Sequence, residues 1–299
     1  MELEAGKVAV VTGAGSGIGR TLVERFARSG LNIVLADVQA DALEKAADDV
    51  AALGLETLAV PTDVTVEADV QALAATTLER FGAVHVVCNN AGVVAKSDPW
   101  FGPLSAWQWV MGVNFWGVVH GIRAFLPHLL AGGHIVNTAS VAGLYPGFGP
   151  IYDASKHAIV ALSDDLYVDL RTAGVPVGVS VLCPGWVRTG ILDAERNWPT
   201  PLGELPDPTT MTVLIGHVRR AVDEGATPAA VADAVAEAVA ADRFWVIPHQ
   251  EFLDLAIDRW HSIAERLDPE RAEDVPGLPP RSQIIAEVMA ALESAAPQS

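Results

Sequence analysis

Tyr152 and Lys156 stand four residues apart, separated by Asp153, Ala154 and Ser155. On a helix that spacing puts both side chains on one face. A free phenol titrates near pH 10, too high to exchange a proton readily at neutral pH. An ammonium about 5 Å away, at an effective dielectric near 20, favours the phenolate by roughly 3 kcal/mol, which lowers the pKa by about two. The pair reads as a proton-transfer site in which Lys156 is expected to pull the Tyr152 phenol down; a solvent-facing pair is the plainer alternative. The chain holds only four lysines and three tyrosines, so surface decoration explains the adjacency less easily.

A second group lies near the amino terminus. The turn Thr12-Gly13-Ala14-Gly15-Ser16-Gly17-Ile18-Gly19 follows an apolar run from Val8 to Val11 and opens a stretch of helical periodicity from Ile18 to Ala27. Backbone amides and the positive end of a helix approach a pyrophosphate closely only where side chains are absent. Asp37 closes the next apolar run, about twenty residues on, where a carboxylate can accept hydrogen bonds from both ribose hydroxyls of an adenosine. The same charge repels a 2′-phosphate, so the pattern predicts NAD with NADP disfavoured. Arg20 is a nearby cation able to soften that preference, and a solvated loop aspartate is the alternative reading of Asp37. Asp63 and Val64, after the third apolar run, would be placed to meet an adenine edge; by itself Asp63 is only a turn aspartate.

These groups need a scaffold. Apolar runs recur at Val8 to Val11, Ile33 to Ala36, Thr57 to Val60, Val84 to Cys88, His134 to Asn137, Val177 to Leu182 and Phe244 to Ile247, with helical patterns between them. Repeated strand-helix units with nearly continuous apolar strands predict a parallel sheet covered on both faces: a doubly wound, three-layer α/β/α architecture. Residues 190–226 break the rhythm with Pro, Thr, Asp and Glu and read as an inserted lid. Thr227 before Pro228 reads as an N-cap and first position of an Ala-rich helix to about Ala241. We expect one domain over residues 1–249, with 250–299 a helical extension. In that extension Phe252, Ala256, Trp260, Ile263 and Leu267 form one helical stripe, to dock on its own domain, on a partner subunit or over a substrate pocket.

Composition excludes several roles. A formal charge of −18 sets the surface against nucleic-acid phosphates and anionic lipids. No stretch suits a membrane-spanning helix, and the amino terminus lacks a signal-peptide pattern, so a cytoplasmic protein is expected. Cys88 and Cys183 end apolar runs and read as core thiols. The eight histidines are scattered without ligand spacing, so no metal is expected.

Taken together, the Thr12 to Gly19 turn, Asp63-Val64, Asn89-Asn90-Ala91-Gly92, Asn114, Ser140, Tyr152 with Lys156, and Pro184-Gly185 leading through Val187 to Thr189 resemble the single-domain branch of the short-chain dehydrogenase/reductase family, built on the Rossmann fold. The resemblance spans about residues 5–247. It implies Gly13, Ser16, Gly17, Ile18, Gly19, Asp37, Asp63, Val64, Asn90, Ala91, Gly92, Tyr152, Lys156, Pro184, Gly185, Val187 and Thr189 as cofactor contacts. It further implies that Ser140 polarises the substrate oxygen and that Asn114 holds a water linking Lys156 to solvent. The implied reaction is NAD-dependent interconversion of a secondary alcohol and its ketone, and family habit adds a homodimer or homotetramer. Val94, Trp100, Phe101, Tyr145, Phe148, Trp186, Ile191, Leu192, Trp198 and Met211 are the pocket candidates; they are apolar and point to a lipophilic substrate. A catalytically silent NAD-sensing protein would share the glycine turn and Asp37, but would not require the Asn114, Ser140, Tyr152 and Lys156 set.

Overall fold

Strand residues split by parity between two apolar layers, and this alternation builds the molecule. The computed structural model describes residues 1–206 and 212–295. Seven strands, β1 (Val8–Thr12), β2 (Asn32–Asp37), β3 (Thr57–Pro61), β4 (Val86–Asn89), β5 (Gly133–Thr138), β6 (Val177–Leu182) and β7 (Trp245–Val246), form one sheet in the order β3-β2-β1-β4-β5-β6-β7. Every pairing is parallel. Ala9, Val11, Ile33 and Leu35 face a layer of α1 (Gly17–Arg28), α2 (Ala40–Ala51) and α8 (Pro228–Ala241). Val8, Val10, Val34 and Ala36 face the opposite layer of α3 (Glu67–Phe81), α5 (Gly117–Phe125) and α6 (Pro150–Thr172). With both faces covered, central strands are buried along their whole length, as β1 is, and their few polar side chains need internal hydrogen-bond partners. This is the expected doubly wound Rossmann architecture.

The strand order reverses between β1 and β4, and the loops leaving the carboxyl ends of these strands diverge there to open a crevice. Thr12 holds the two sides together. Its buried hydroxyl accepts from the amides of Asn90 (2.9 Å) and Ala91 (3.1 Å), and Asn90 Nδ2 donates back to the Thr12 carbonyl at 3.0 Å. A buried polar chain fixes α6 against the sheet. Asn89 Nδ2 donates to Asn137 Oδ1 (2.9 Å), Asn137 Nδ2 to Ser163 Oγ (3.0 Å), and Ser163 Oγ to the Ile159 carbonyl (2.7 Å).

The described residues of the expected lid, 190–226, include two 3-10 segments, Ile191–Asn197 and Thr200–Leu202, and the helix α7 (Thr212–Glu224). Thr227 caps α8 as expected, accepting from the Ala230 amide at 3.2 Å. The carboxyl-terminal stripe departs from expectation. Phe252 sits in a 3-10 turn ahead of α9 (Leu253–Glu265); Phe252, Leu255 and Ala256 are buried, whereas Trp260, Ile263 and Leu267 are 66%, 52% and 59% exposed. Only the first turn of α9 is buried; its later apolar positions face outward. Both cysteines are buried and free, and none of the described helices is long and apolar enough to cross a membrane.

Thr12→Val should leave two half-buried amides without their acceptor, and unpaired groups of this kind cost up to about 1–3 kcal/mol each. Urea unfolding is expected to show a loss of about 2–4 kcal/mol; an unchanged midpoint would contradict this role for Thr12.

Candidate active site

The glycine turn demands its glycines. Gly13 and Gly17 have φ of +66° and +53°, and a Cβ on Gly19 would lie 2.0 Å from the Gly13 carbonyl oxygen. Gly19 therefore packs against the turn rather than lining the crevice. Ser16, the N-cap of α1, makes no side-chain capping bond, so the first-turn amides of α1 are left for an anion. At the end of β2, Asp37 accepts from Gly15 N through Oδ2 and from Gln39 N through Oδ1, each at 2.9 Å. Arg20 is held away by Glu24 (3.0 Å) and by Asp49. The donor set fits a dinucleotide: bare amides for a pyrophosphate, and a carboxylate for ribose hydroxyls.

One cleft of about 1770 Å³, including the space at its mouth, runs from Asp37 past the turn to Tyr152. Gly13, Ser16, Gly17, Ile18, Asp37, Asp63, Val64, Asn90, Ala91, Gly92, Ser140, Tyr152, Lys156, Pro184, Gly185, Val187 and Thr189 all line it. Asn114 does not. It sits fully buried in a π-helical turn, Gly112–Trp116, between α4 (Leu104–Met111) and α5. Its Oδ1 accepts from Val93 N (2.8 Å), and its Nδ2 donates to the Val93 carbonyl (3.1 Å) and Ser155 Oγ (3.0 Å). The side-chain amide is thus spent on bracing the loop after β4.

At the inner end the Ser140 side chain faces the Tyr152 phenol closely enough to favour its ionised form, while Lys156 Nζ lies 5.5 Å from the Tyr152 ring centroid and donates to the Thr138 carbonyl at 2.9 Å. The electrostatics reverse the spacing argument. Burial pushes the Tyr152 phenol up to about 12, against a smaller downward pull from Ser140. Burial likewise lowers Lys156, to about 8. Desolvation opposes either charged form and outweighs the attraction expected between them.

The pocket candidates divide. Val94, Phe148, Trp186, Ile191 and Leu192 line the cleft, joined by Trp109 and Val113, which sequence reasoning missed. Trp100 and Phe101 are 71% and 93% exposed on a loop outside it. Tyr145 is buried behind the wall with its hydroxyl accepting from Ala272 N, and Trp198 packs edge-on against Trp109 at 5.1 Å. Met211 lies outside the described residues.

Two positioning residues were also missed. His249 Nδ1 accepts from Gly185 N at 3.0 Å across 64 residues of chain, a pairing no local pattern announces. Asp153, buried beside Tyr152, gathers the amides of Gly147 (2.8 Å), Phe148 (3.2 Å) and Gly149 (3.3 Å). A carboxylate in the first turn of a helix, just after a glycine-rich loop, was the available signal. Asp153→Ala should free that loop: hydrogen exchange at residues 147–149 is expected to quicken at least about tenfold, and wild-type protection there would contradict the clamp.

Comparison with known proteins agrees with this geometry. The family model of the short chain dehydrogenases matches residues 7–200. The 1-deoxy-11-beta-hydroxypentalenate dehydrogenase of Streptomyces avermitilis is 40% identical over 88% of this chain and 92% of its own. The CLA biosynthesis dehydrogenase/reductase of Lactiplantibacillus plantarum is 31% identical over 90% and 96%. The crystal structure of a short chain dehydrogenase/reductase from Burkholderia phymatum in complex with NAD superposes with a TM-score of 0.88 at 44% identity, covering 92% of this chain and all of that one. With a nucleotide cleft at the sheet reversal and a tyrosine, lysine and serine gathered at its inner end, the chain belongs to the short-chain dehydrogenase/reductase family, an NAD(P)-binding oxidoreductase that interconverts alcohol and carbonyl groups.

Proposed function

We propose that this chain is an NAD-dependent dehydrogenase of lipophilic secondary alcohols, working with Tyr152 as acid and base. The observation that carries the reading is the single cleft with Asp37 and the glycine turn at one end and Tyr152, Ser140 and Lys156 at the other. Apolar side chains around that inner end, including Trp109, Phe148, Trp186 and Leu192, favour a hydrocarbon-rich substrate over a sugar or a phosphorylated metabolite. The Streptomyces avermitilis relative is named for a hydroxylated substrate, which accords with this class.

The residues divide the work. Ser140, whose Oγ accepts from Ala142 N at 3.1 Å, holds and polarises the substrate oxygen. Tyr152 takes the hydroxyl proton in oxidation and returns a proton to the oxygen in reduction. When bound, the dinucleotide supplies a nicotinamide ring that accepts or returns the hydride. Lys156 sets the local potential beside the phenol, and Asn114 holds the segment at Val93 in place. Pro184, Gly185, Val187 and Thr189 bound the nicotinamide end; Gly13, Ser16, Gly17 and Ile18 hold the pyrophosphate, with Gly19 supporting the turn from behind. Asp37, Asp63 and Val64 bound the adenosine. Asp37 supports NAD over NADP, since Arg20 is committed to Glu24 and Asp49 and does not offset its charge. A cytoplasmic homodimer or homotetramer, with a lid over 190–226 and an extension over 250–299, completes the proposal.

Tyr152→Phe should abolish turnover by about 10²–10⁴-fold while NADH fluorescence titration still shows binding; a variant that keeps wild-type turnover would overturn the assignment. The pH dependence has a definite sign. Oxidation needs the phenolate, and the Tyr152 phenol is held up to about 12, so the reactive fraction grows as pH rises. Lys156, lowered to about 8, then loses its charge. Oxidation rates should climb from about pH 6 to about pH 8 and flatten above, whereas reduction, which uses the protonated phenol, should not climb. An oxidation rate falling over that interval would contradict the mechanism. Asp37→Asn keeps a carbonyl oxygen and removes the charge; one charge at contact range is worth about 3 kcal/mol at a dielectric near 20, so the ratio of NAD to NADP affinity should narrow by roughly 100-fold. An unchanged ratio would remove Asp37 from cofactor choice.

A further inference from the structure

The carboxyl-terminal segment reaches the substrate end of the cleft from behind. Phe148 and Trp186, which line the cleft, meet edge to face at 5.5 Å, and both rest on the Phe252 ring. Ala272 and Val275 pack against the same cluster. Two directional bonds lock this contact. Ala272 N donates to the Tyr145 hydroxyl at 2.7 Å, and Trp186 Nε1 donates to the Pro276 carbonyl at 2.6 Å. Gly277 then turns with φ +80°, flat against the indole: a Cβ there would stand 2.8 Å from Trp186 Cδ1 and 2.9 Å from Nε1. Arg271 adds a positive charge toward Asp153, the carboxylate that gathers residues 147–149. Beyond the turn, α10 (Arg281–Ala295) packs on α7, where Glu287 Oε2 lies 2.6 Å from His217 Nε2. Val218 and Val222 of that same α7 line the cleft. One short stretch of chain therefore grips both walls of the pocket.

We propose that residues 271–287 determine substrate specificity by fixing Trp186 and Phe148 from outside the catalytic domain, so that the pocket admits a compact apolar alcohol and turns bulkier ones away. The pocket width is set by a segment that touches neither the cofactor cleft nor Tyr152. An indole has two freely rotating bonds, and a ring held by its N–H, its face and its edge loses that freedom. Released, the same ring yields space to a larger substrate and grips a small one less well. The inference rests on the dehydrogenase reading above.

The test uses the full chain carrying Gly277→Val, with Tyr145→Phe as a gentler companion that removes only the bond to Ala272. Steady-state kinetics with NAD are compared over cyclic secondary alcohols of increasing size, alongside NADH titration and hydrogen exchange at residues 145–149. The expected result is a KM raised about tenfold for small alcohols, a relative gain for bulky ones, kcat and NADH affinity within about twofold, and faster exchange at 145–149. Wild-type size preference and wild-type exchange in variants that fold and bind NADH would overturn the proposal. Should Gly277→Val fail to fold, Tyr145→Phe is read by the same criteria. If the wild-type chain turns over no alcohol, the dehydrogenase reading fails; exchange at 145–149 then decides separately whether the segment braces this wall, unchanged exchange counting against it.

Discussion

Lys156 is a basic side chain in a place that resists its charge. Its side chain is 2% exposed, and burial lowers its pKa to about 8. A buried ammonium persists only where fixed acceptors replace water, and here the acceptor is the Thr138 carbonyl at the end of β5. Much of the surrounding structure follows from holding those two groups together. Ser163 and Asn137 tie α6 to β5 two turns further along, and Gly143 lets the chain after β5 pass α6 so closely that a Cβ would stand 2.6 Å from the Lys156 carbonyl. Ser140 lies between, so the strand end that neutralises the lysine also delivers the serine to the phenol.

The same economy operates at the other end of the cleft. The sheet reverses between β1 and β4, and Thr12 and Asn90 bridge the reversal with three hydrogen bonds. That bridge fixes the glycine turn against the loop after β4, which Asn114 in turn holds through Val93. The π-helical turn holds Asn114 where its side chain meets Val93 and Ser155, a placement that a regular helix joining α4 to α5 would shift. The glycine turn and the Tyr152 end are thus connected through neutral side chains bonded to the backbone rather than through charged pairs. Such a link is rigid and insensitive to ionic strength, as suits a site that must align two bound molecules.

Fold and site differ in how legible they were. The five inner strands could be read because burial on both faces leaves nearly continuous apolar runs, the half-exposed edge strands β3 and β7 from shorter apolar runs, and the cap at Thr227 from the first-turn amides it must satisfy. The glycine turn, Asp37, Tyr152 and Lys156 were singled out by local spacing, and the fold brings them to one cleft. The protonation of Tyr152 was not legible, since spacing reports the nearby charge and says nothing of desolvation, which is larger and opposite in sign. Aromatic residues misled in a similar way. Trp100 and Phe101 look like pocket residues by type, yet a bend placed by Asp98, which accepts from both their amides, turns them outward. His249 on Gly185, and Ala272 on Tyr145, join positions 64 and 127 residues apart, so only the folded chain displays them.

The account stands on hydride passing between a bound carbinol carbon and the nucleotide in one cleft. The most direct check is to incubate the protein with NAD and secondary alcohols deuterated at the carbinol carbon, then weigh the NADH formed. The account predicts NADH heavier by the mass of one deuterium, with the label retained from the alcohol. NADH formed without the label would place the hydride source elsewhere and contradict it.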